Sequence, residues 1–320
     1  MDKNILITSA GKRVELVLEF QKVLKHFFPN SKVLTVDLHP EMAPACRISD
    51  ESFKVPPVVS EDYIVTLLNI CLENNVKVII PTIDTELLIL SKHKDIFLKE
   101  GIRIMVSEEP FINICRDKRK TNHFFQEHKI RVCEPRDKYN PVFPMFAKPY
   151  DGSLSTNIHI INNDSDLTQS ILDDPKLIFM ELIDKKLYKE FTVDLYYSKD
   201  NHLKCIVPRE RIEIRSGEVN KGAARKNFIM NYLLERIEYI PGVIGCICLQ
   251  VFFNHENNDI VGIEINPRFG GGYPLSFYAG ANFPEFIVRE YLLNEEIPYF
   301  DKWIDNTVML RYDSQVIFYE

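Results

Sequence analysis

Four side chains able to do chemistry together lie late in the chain. Glu264, Asn266 and Arg268 alternate with Ile265 and Pro267, and Gln250 precedes them in a separate apolar segment. In an extended strand alternate residues share a face, so a carboxylate, an amide and a guanidinium would point the same way. A hard-cation ligand, a neutral oxygen ligand and a phosphate-pairing cation in one row are what a magnesium–nucleotide site needs. The apolar runs 249–253 and 260–264 flank a polar turn, His255 to Asp259. A hairpin pairing Asn254 with Ile260 would set Gln250 opposite Glu264, with Asn266 beside them. Gly270, Gly271 and Gly272 follow, where a ligand or another stretch of backbone can come close.

Other positions invite a role but each has a plainer reading. Lys148 ends the apolar run 142–147 and leads into Gly152 and Ser153, so it could hold a phosphate under a loop, or simply snorkel. Glu181 interrupts the apolar strand 178–183, and Glu190 opens the next one. They read either as edge residues facing water or as a hinge whose backbone and carboxyl groups bind adenine and ribose. Arg209, Arg211, Glu213 and Arg215 alternate, which predicts an anion-binding face, since guanidiniums in one row repel unless anions sit between them. Asp84 and Glu86 fall at the carboxyl end of a parallel strand, where ligands collect. Asp84 serves equally as a helix N-cap. The turn Ser9-Ala10-Gly11-Lys12-Arg13 matches neither a P-loop nor the G-x-G-x-x-G fingerprint. That makes Asp37 a solvated acid after a strand rather than a ribose ligand.

These residues need a framework, and 320 residues with ordinary apolar and charged fractions can build a sizeable one. The net charge of −7 argues against a broad nucleic-acid surface. No run approaches the roughly 20 apolar residues of a membrane span, and the start is too short in apolar run for a signal peptide. Seven cysteines without C-x-x-C spacing suit reduced thiols in the cytoplasm. Strands at 4–8, 32–37, 76–80 and 102–106 alternate with helices at 14–28, after Ser60 as cap, and after Asp84. This predicts a doubly wound parallel sheet over 1–110. Beyond a break at Glu109-Pro110 and a helix at 116–128, strands dominate at 142–148, 176–182, 190–197, 202–215, 246–254 and 260–266. Short helices intervene near 164–173, 226–240 and 284–293, so 111–320 reads as mixed, largely antiparallel α+β.

The ordered series Lys118, Lys148, Glu181, Glu190, Gln250, Glu264, Asn266 and Arg268 resembles the ATP-grasp superfamily. The likeness is strongest to single-unit proteins akin to the carbamoyl-phosphate-synthase large subunit, and it spans essentially the whole chain. Glu-x-Asn-Pro-Arg-Phe after a Gln-bearing strand is its specific signature, and Ala279-Gly280-Ala281-Asn282-Phe283-Pro284 continues it. The resemblance implies a Rossmann-like pre-ATP-grasp domain over 1–110, then an ATP-grasp fold over 111–320. The latter would hold a lid near 130–190 and a C-terminal antiparallel-sheet subdomain.

The resemblance also implies cofactors and roles. ATP would be bound with Mg2+, for which Mn2+ could substitute. Lys118, Lys148, Gly152 and Ser153 would meet the phosphates; Glu181, Leu182 and Ile183 the adenine; Glu190 the ribose. Gln250, Glu264 and Asn266 would hold metal. Arg268 would steady the γ-phosphate, and Arg211 and Arg215, with Arg209, the substrate carboxylate. The implied activity is ligation of a carboxylic acid to an amine through an acyl phosphate, releasing ADP and phosphate. Alternatives are a carbamoyl-phosphate-synthase-like phosphorylating subunit needing a partner enzyme, and a decayed ATP-binding accessory protein. An NAD-type dehydrogenase lacks its fingerprint. A homodimer is left open. The glycine loop departs from the family in having Gly152 alone, and only one ATP-grasp unit is present.

Overall fold

The computed structural model describes residues 2–152, 156–215 and 217–319. Its first sheet contains β1 (Asn4–Thr8), β2 (Val33–Asp37), β3 (Glu51–Lys54), β4 (Val76–Ile80) and β5 (Arg103–Ile104), parallel and in the order β3-β2-β1-β4-β5. Ile5, Leu6, Ile7, Ile79 and Ile80 are fully covered, which is why these strands show apolar runs and not alternation. Helices α1 (Val14–Phe27), α2 (Pro44–Ile48), α3 (Tyr63–Glu73) and α4 (Asp84–Lys99) accompany it. In α1, Leu16, Val17, Phe20, Val23 and Leu24 recur at helical spacing and are all buried.

Two sequence expectations change here. Ser60 does not cap α3: the helix begins three residues later, and the Ser60 hydroxyl accepts only from the Asp62 amide at 3.4 Å. The strand expected at 102–106 shortens to β5, and β3 was unforeseen because Glu51-Ser52-Phe53-Lys54 carries an edge strand's polar residues. The break expected at Glu109-Pro110 coincides with the first turn of α5 (Glu109–Arg116), where a proline's missing N–H costs nothing. Helix α6 (Lys118–Glu127) and the short β6 (Arg131–Val132) come next.

A second, antiparallel sheet is β8-β7-β9, from β7 (Met145–Pro149), β8 (His159–Ile161) and β9 (Leu177–Glu181), with α7 (Gln169–Asp173) before its last strand. It lies within the 130–190 span. The largest sheet uses β10 (Lys189–Tyr197), β11 (Leu203–Arg215), β12 (Glu218–Ala224), β13 (Gly245–Asn254), β14 (Asp259–Asn266) and β15 (Val308–Leu310). Its order is β15-β12-β11-β10-β13-β14-β6, antiparallel except that β6 runs parallel to β14. Helices α8 (Phe228–Ile237), α9 (Pro274–Tyr278) and α10 (Phe283–Ile287) complete the framework.

The first sheet and the largest one share a core. Phe20 of α1 meets Phe269 edge-on, ring centres 5.8 Å apart, and one buried cluster runs from Ile5 and Val17 to Tyr273, Phe283 and Trp303. The end of β14 is thereby held against the first domain. All seven cysteines are free thiols. Among the described residues, no helix is long and apolar enough to cross a membrane.

Candidate active site

The hairpin of β13 and β14 carries the oxygen row, and its register was one residue out at the turn. Asn254 faces Asp259, not Ile260. A β-bulge between Gln250 and Val251 on the ladder then restores the expected pairing, so Gln250 does stand opposite Glu264, and Cys248 opposite Asn266. Ile265, Pro267 and Phe269 point into the core, leaving Glu264, Asn266 and Arg268 half-buried on the other face. Glu264 Oε1 accepts from Gln250 Nε2 at 2.8 Å and from Asn266 Nδ2 at 3.1 Å. The amide oxygens of Gln250 and Asn266 accept from Arg211 Nη1 at 3.2 Å and Arg268 Nη2 at 3.4 Å.

This donor set has the chemistry for magnesium. It offers one carboxylate and two amide carbonyls, all hard oxygens, and a nucleotide-bound Mg2+ takes few protein ligands because phosphates and water supply the rest. Among the described residues, no group of three or more His, Cys, Asp or Glu side chains is arranged to hold a metal ion, and the row contains a single acid.

Cations border the row. Lys148 on β7 is largely desolvated, which lowers its pKa; the charge of Glu264 opposes that fall and that of Lys118 adds to it. Lys118 opens α6, and its Nζ donates to the Gly152 carbonyl at 2.5 Å while its amide donates to Tyr150 O at 2.9 Å. Gly152 is thus next to a candidate phosphate-binding lysine, whereas Ser153 lies outside the described residues. Arg211 Nη1 pairs with the Glu190 carboxylate as well as Gln250, and Nη2 donates to Gly217 O at 2.8 Å. Glu190 and Gln250, assigned to ribose and metal, are therefore linked through one guanidinium.

At the nucleobase end, Glu181 closes β9 next to half-buried Leu182 and buried Ile183. Its carboxylate is already engaged, by Arg131 Nη2 at 2.8 Å and the Glu134 amide at 3.1 Å. Arg131 also pairs with Asp259 at the hairpin tip. The Glu181 amide also donates to the Glu134 carbonyl at 2.8 Å, so its carboxyl and its N–H both have protein partners.

The expected arginine face is also corrected. Arg209 is fully buried and bidentate to Asp194, at 2.6 and 2.8 Å, with the Ser276 hydroxyl and Cys248 thiol donating to the same carboxylate. Arg215 is exposed at the end of β11 and pairs with Asp313. Register shifts between Arg211 and Glu213, and again before Ile214, break the alternation, and Ile212 and Ile214 are 52% and 42% exposed. Arg211 alone of the three borders the oxygen row.

Further neighbours complete the site, and one of them decides between the two readings of Asp84. Arg268 Nη2 donates to Asp84 at 2.8 Å, so Asp84 faces the site and does not cap α4. Glu86 holds that helix instead, fully buried and accepting from the amides of Thr82 at 2.7 Å and Ile83 at 3.1 Å and from the Ser9 hydroxyl. Asp37 is tied into the first turn by the Gly11 amide at 3.0 Å. Around Gly271 lie Arg13 and Glu218: a Cβ on this glycine would sit 2.5 Å from Glu218 Oε1 and 2.9 Å from Arg13 Nη1. Arg311 Nη1 donates to Glu218 at 2.8 Å. Two adjacent basic residues at the carboxyl end of β1 were the visible signal for Arg13; nothing local marked Glu218 or Arg311.

Comparison with known proteins joins these pieces. Residues 5–105 match the family model of the PylC-like N-terminal domain, and residues 173–311 match that of the ATP-grasp in the biosynthetic pathway with Ter operon. The chain has an ATP-grasp fold. N5-carboxyaminoimidazole synthetase from Staphylococcus aureus, solved with ADP, superposes on this chain with a TM-score of 0.70 at 17% identity, over 97% of this chain and 81% of that one. Biotin carboxylase from Campylobacter jejuni gives 0.70 at 15% identity, over 93% and 72%. L-amino acid ligase from Bacillus licheniformis gives 0.67 at 15%, over 91% and 74%. At these identities the likeness is one of fold. No curated protein matches the sequence.

Proposed function

We propose that this chain is a Mg-ATP-dependent carboxylate–amine ligase working through an acyl phosphate. The observation that carries the reading is the row Gln250, Glu264 and Asn266, bordered by Lys148, Arg211 and Arg268. Those three oxygens would hold Mg2+, which offsets charge on the transferring phosphoryl group when bound. Lys118 and Lys148 would hold the ATP phosphates, the backbone of 181–183 the adenine, and Glu190 the ribose. The acid's carboxylate attacks the γ-phosphorus and ADP leaves. The amine then attacks the acyl carbon and expels phosphate, giving an amide. The L-amino acid ligase among the similar folds bears the name of this chemistry. The amine reaches the site as a free small molecule in this reading.

The test is ADP release with Mg-ATP across pooled acids crossed with pooled amines, followed by hydroxylamine in place of the amine. A signal requiring one pool of each, and a hydroxamate from the acid alone, supports the ligase. Turnover that ignores the acid would overturn it.

A further inference from the structure

Arg13 occupies the N-cap position of α1, at the carboxyl end of β1, the edge of an open α/β sheet where ligands collect. It is a poor place for a cation, because the helix already presents its own positive end there. The guanidinium is drawn in against the glycine bend, its Nη1 2.9 Å from where a Gly271 Cβ would stand. Burial lowers its proton affinity, and the neighbouring charge of Arg268, with a smaller part from Arg311, lowers it further, against Glu218 and Cys248. Its two guanidinium neighbours each have a partner, Asp84 for Arg268 and Glu218 for Arg311. Among the described residues, Arg13 has neither an ion pair nor a side-chain hydrogen bond. A half-buried cation beside Arg268 and Arg311, offset only by the share of Glu218's charge that Arg311 leaves, is better placed once an anion joins it.

Resting on the ligase reading, we propose that Arg13 is the residue that binds the acid substrate's reacting carboxylate, beside Arg268 and across the glycine bend. A carboxylate that attacks the γ-phosphate must lie next to the residue steadying that phosphate, and Arg13 adjoins Arg268. The residues assigned to the acid from sequence are less free to do so. Arg211 is held by Glu190, Gln250 and the Gly217 carbonyl, and Arg215 pairs with Asp313 at an exposed strand end. One unmatched positive charge suits one carboxylate, so the recognised group is a single carboxylate on a small acid and not a second phosphate.

The experiment is thermal unfolding of the full chain with Mg-ADP, titrated with acetate, succinate and L-glutamate, on wild type, Arg13→Gln and the exposed neighbour Lys12→Gln. Wild type and Lys12→Gln should be stabilised by at least one of these carboxylates. Arg13→Gln should need on the order of tenfold more or fail to respond, the loss of about one charge-assisted hydrogen bond. Its unfolding temperature without ligand should match or exceed wild type, since an unmatched cation has gone. Equal carboxylate responses in Arg13→Gln and wild type, no response in wild type, or a ligand-free Arg13→Gln that melts earlier would each overturn the proposal. Failure of Mg-ADP to stabilise wild type would instead sink the ligase reading beneath it.

Discussion

Arg268 and Asp84, 184 residues apart in sequence, are joined by a hydrogen-bonded ion pair of 2.8 Å. It runs from the end of β14 to the first turn of α4 and ties the oxygen row to the parallel-sheet domain. Its side chains are 16% and 24% exposed, too sheltered to be dismissed as a surface pair. Arg268 is held above its ordinary pKa: burial pulls it down, and Asp84, with Cys248 and Glu264, together outweigh that pull.

Asp84→Ala should therefore loosen Arg268, whose buried Nε already lacks a partner. The expected result is a kcat lower by roughly ten- to hundredfold, the size of one charge-assisted hydrogen bond, with KM for ATP near wild type. Steady-state ADP release measures both. Parallel losses in kcat and ATP affinity would argue against a positioning role for Asp84.

Glu264→Ala removes the one carboxylate in the oxygen row. If the row holds Mg2+, turnover should fall by roughly a thousandfold, several kcal/mol of charge stabilisation, and nucleotide binding should lose its dependence on Mg2+. Calorimetric titration of ADP with and without Mg2+ checks the second point. An unchanged Mg2+ dependence would remove Glu264 from the metal site.

Glu19 on α1 is 2% exposed, and neither carboxylate oxygen has a partner. Burial, with the charges of Glu15 and Asp194, raises its pKa well above 4.5. A carboxyl raised on folding contributes its full share of stability below the unfolded pKa and loses it as pH climbs through the folded one. Glu19→Met, similar in volume, should thus gain about 1–3 kcal/mol at pH 8 and progressively less toward pH 4.5. Unfolding midpoints across that range decide it; a gain independent of pH would contradict the raised pKa.

Gly262 packs its backbone on Phe125 of α6, and a Cβ there would come 2.6 Å from the ring. Gly262→Ala should destabilise the fold by about 1–3 kcal/mol by denaturant melt. Because α6 begins at Lys118, ATP affinity should fall with it. Wild-type stability in this variant would show that α6 yields without strain.

The local patterns were legible where chemistry and burial agree. The alternation of Glu264, Asn266 and Arg268 with buried Ile265 and Pro267 announced the row, and apolar runs announced β1, β2 and β4. What escaped notice depends on distant packing. The alternation of Arg209 with Arg211 and Arg215 looks the same whether a face meets water or a buried Asp194. Glu218–Ala224 reads as polar coil, yet it becomes β12 because β11 and β15 flank it. Arg13, Glu218 and Arg311 meet only after the first domain closes on the glycine bend, a relation no spacing encodes.

The bulge that returns Gln250 to Glu264 makes the chain length between them a counted quantity. Paired straight through with Ile263 retained, Gln250 would face Ile263, and a strand's side chains exchange faces with each step. Glu264 and Asn266 would then turn inward and Ile265 outward, in a hairpin whose tip still closed normally. Deleting Ile263 would instead bring Glu264 opposite Gln250 on a regular ladder and keep the row on its face. The row is therefore exposed to a lost bulge more than to a lost residue.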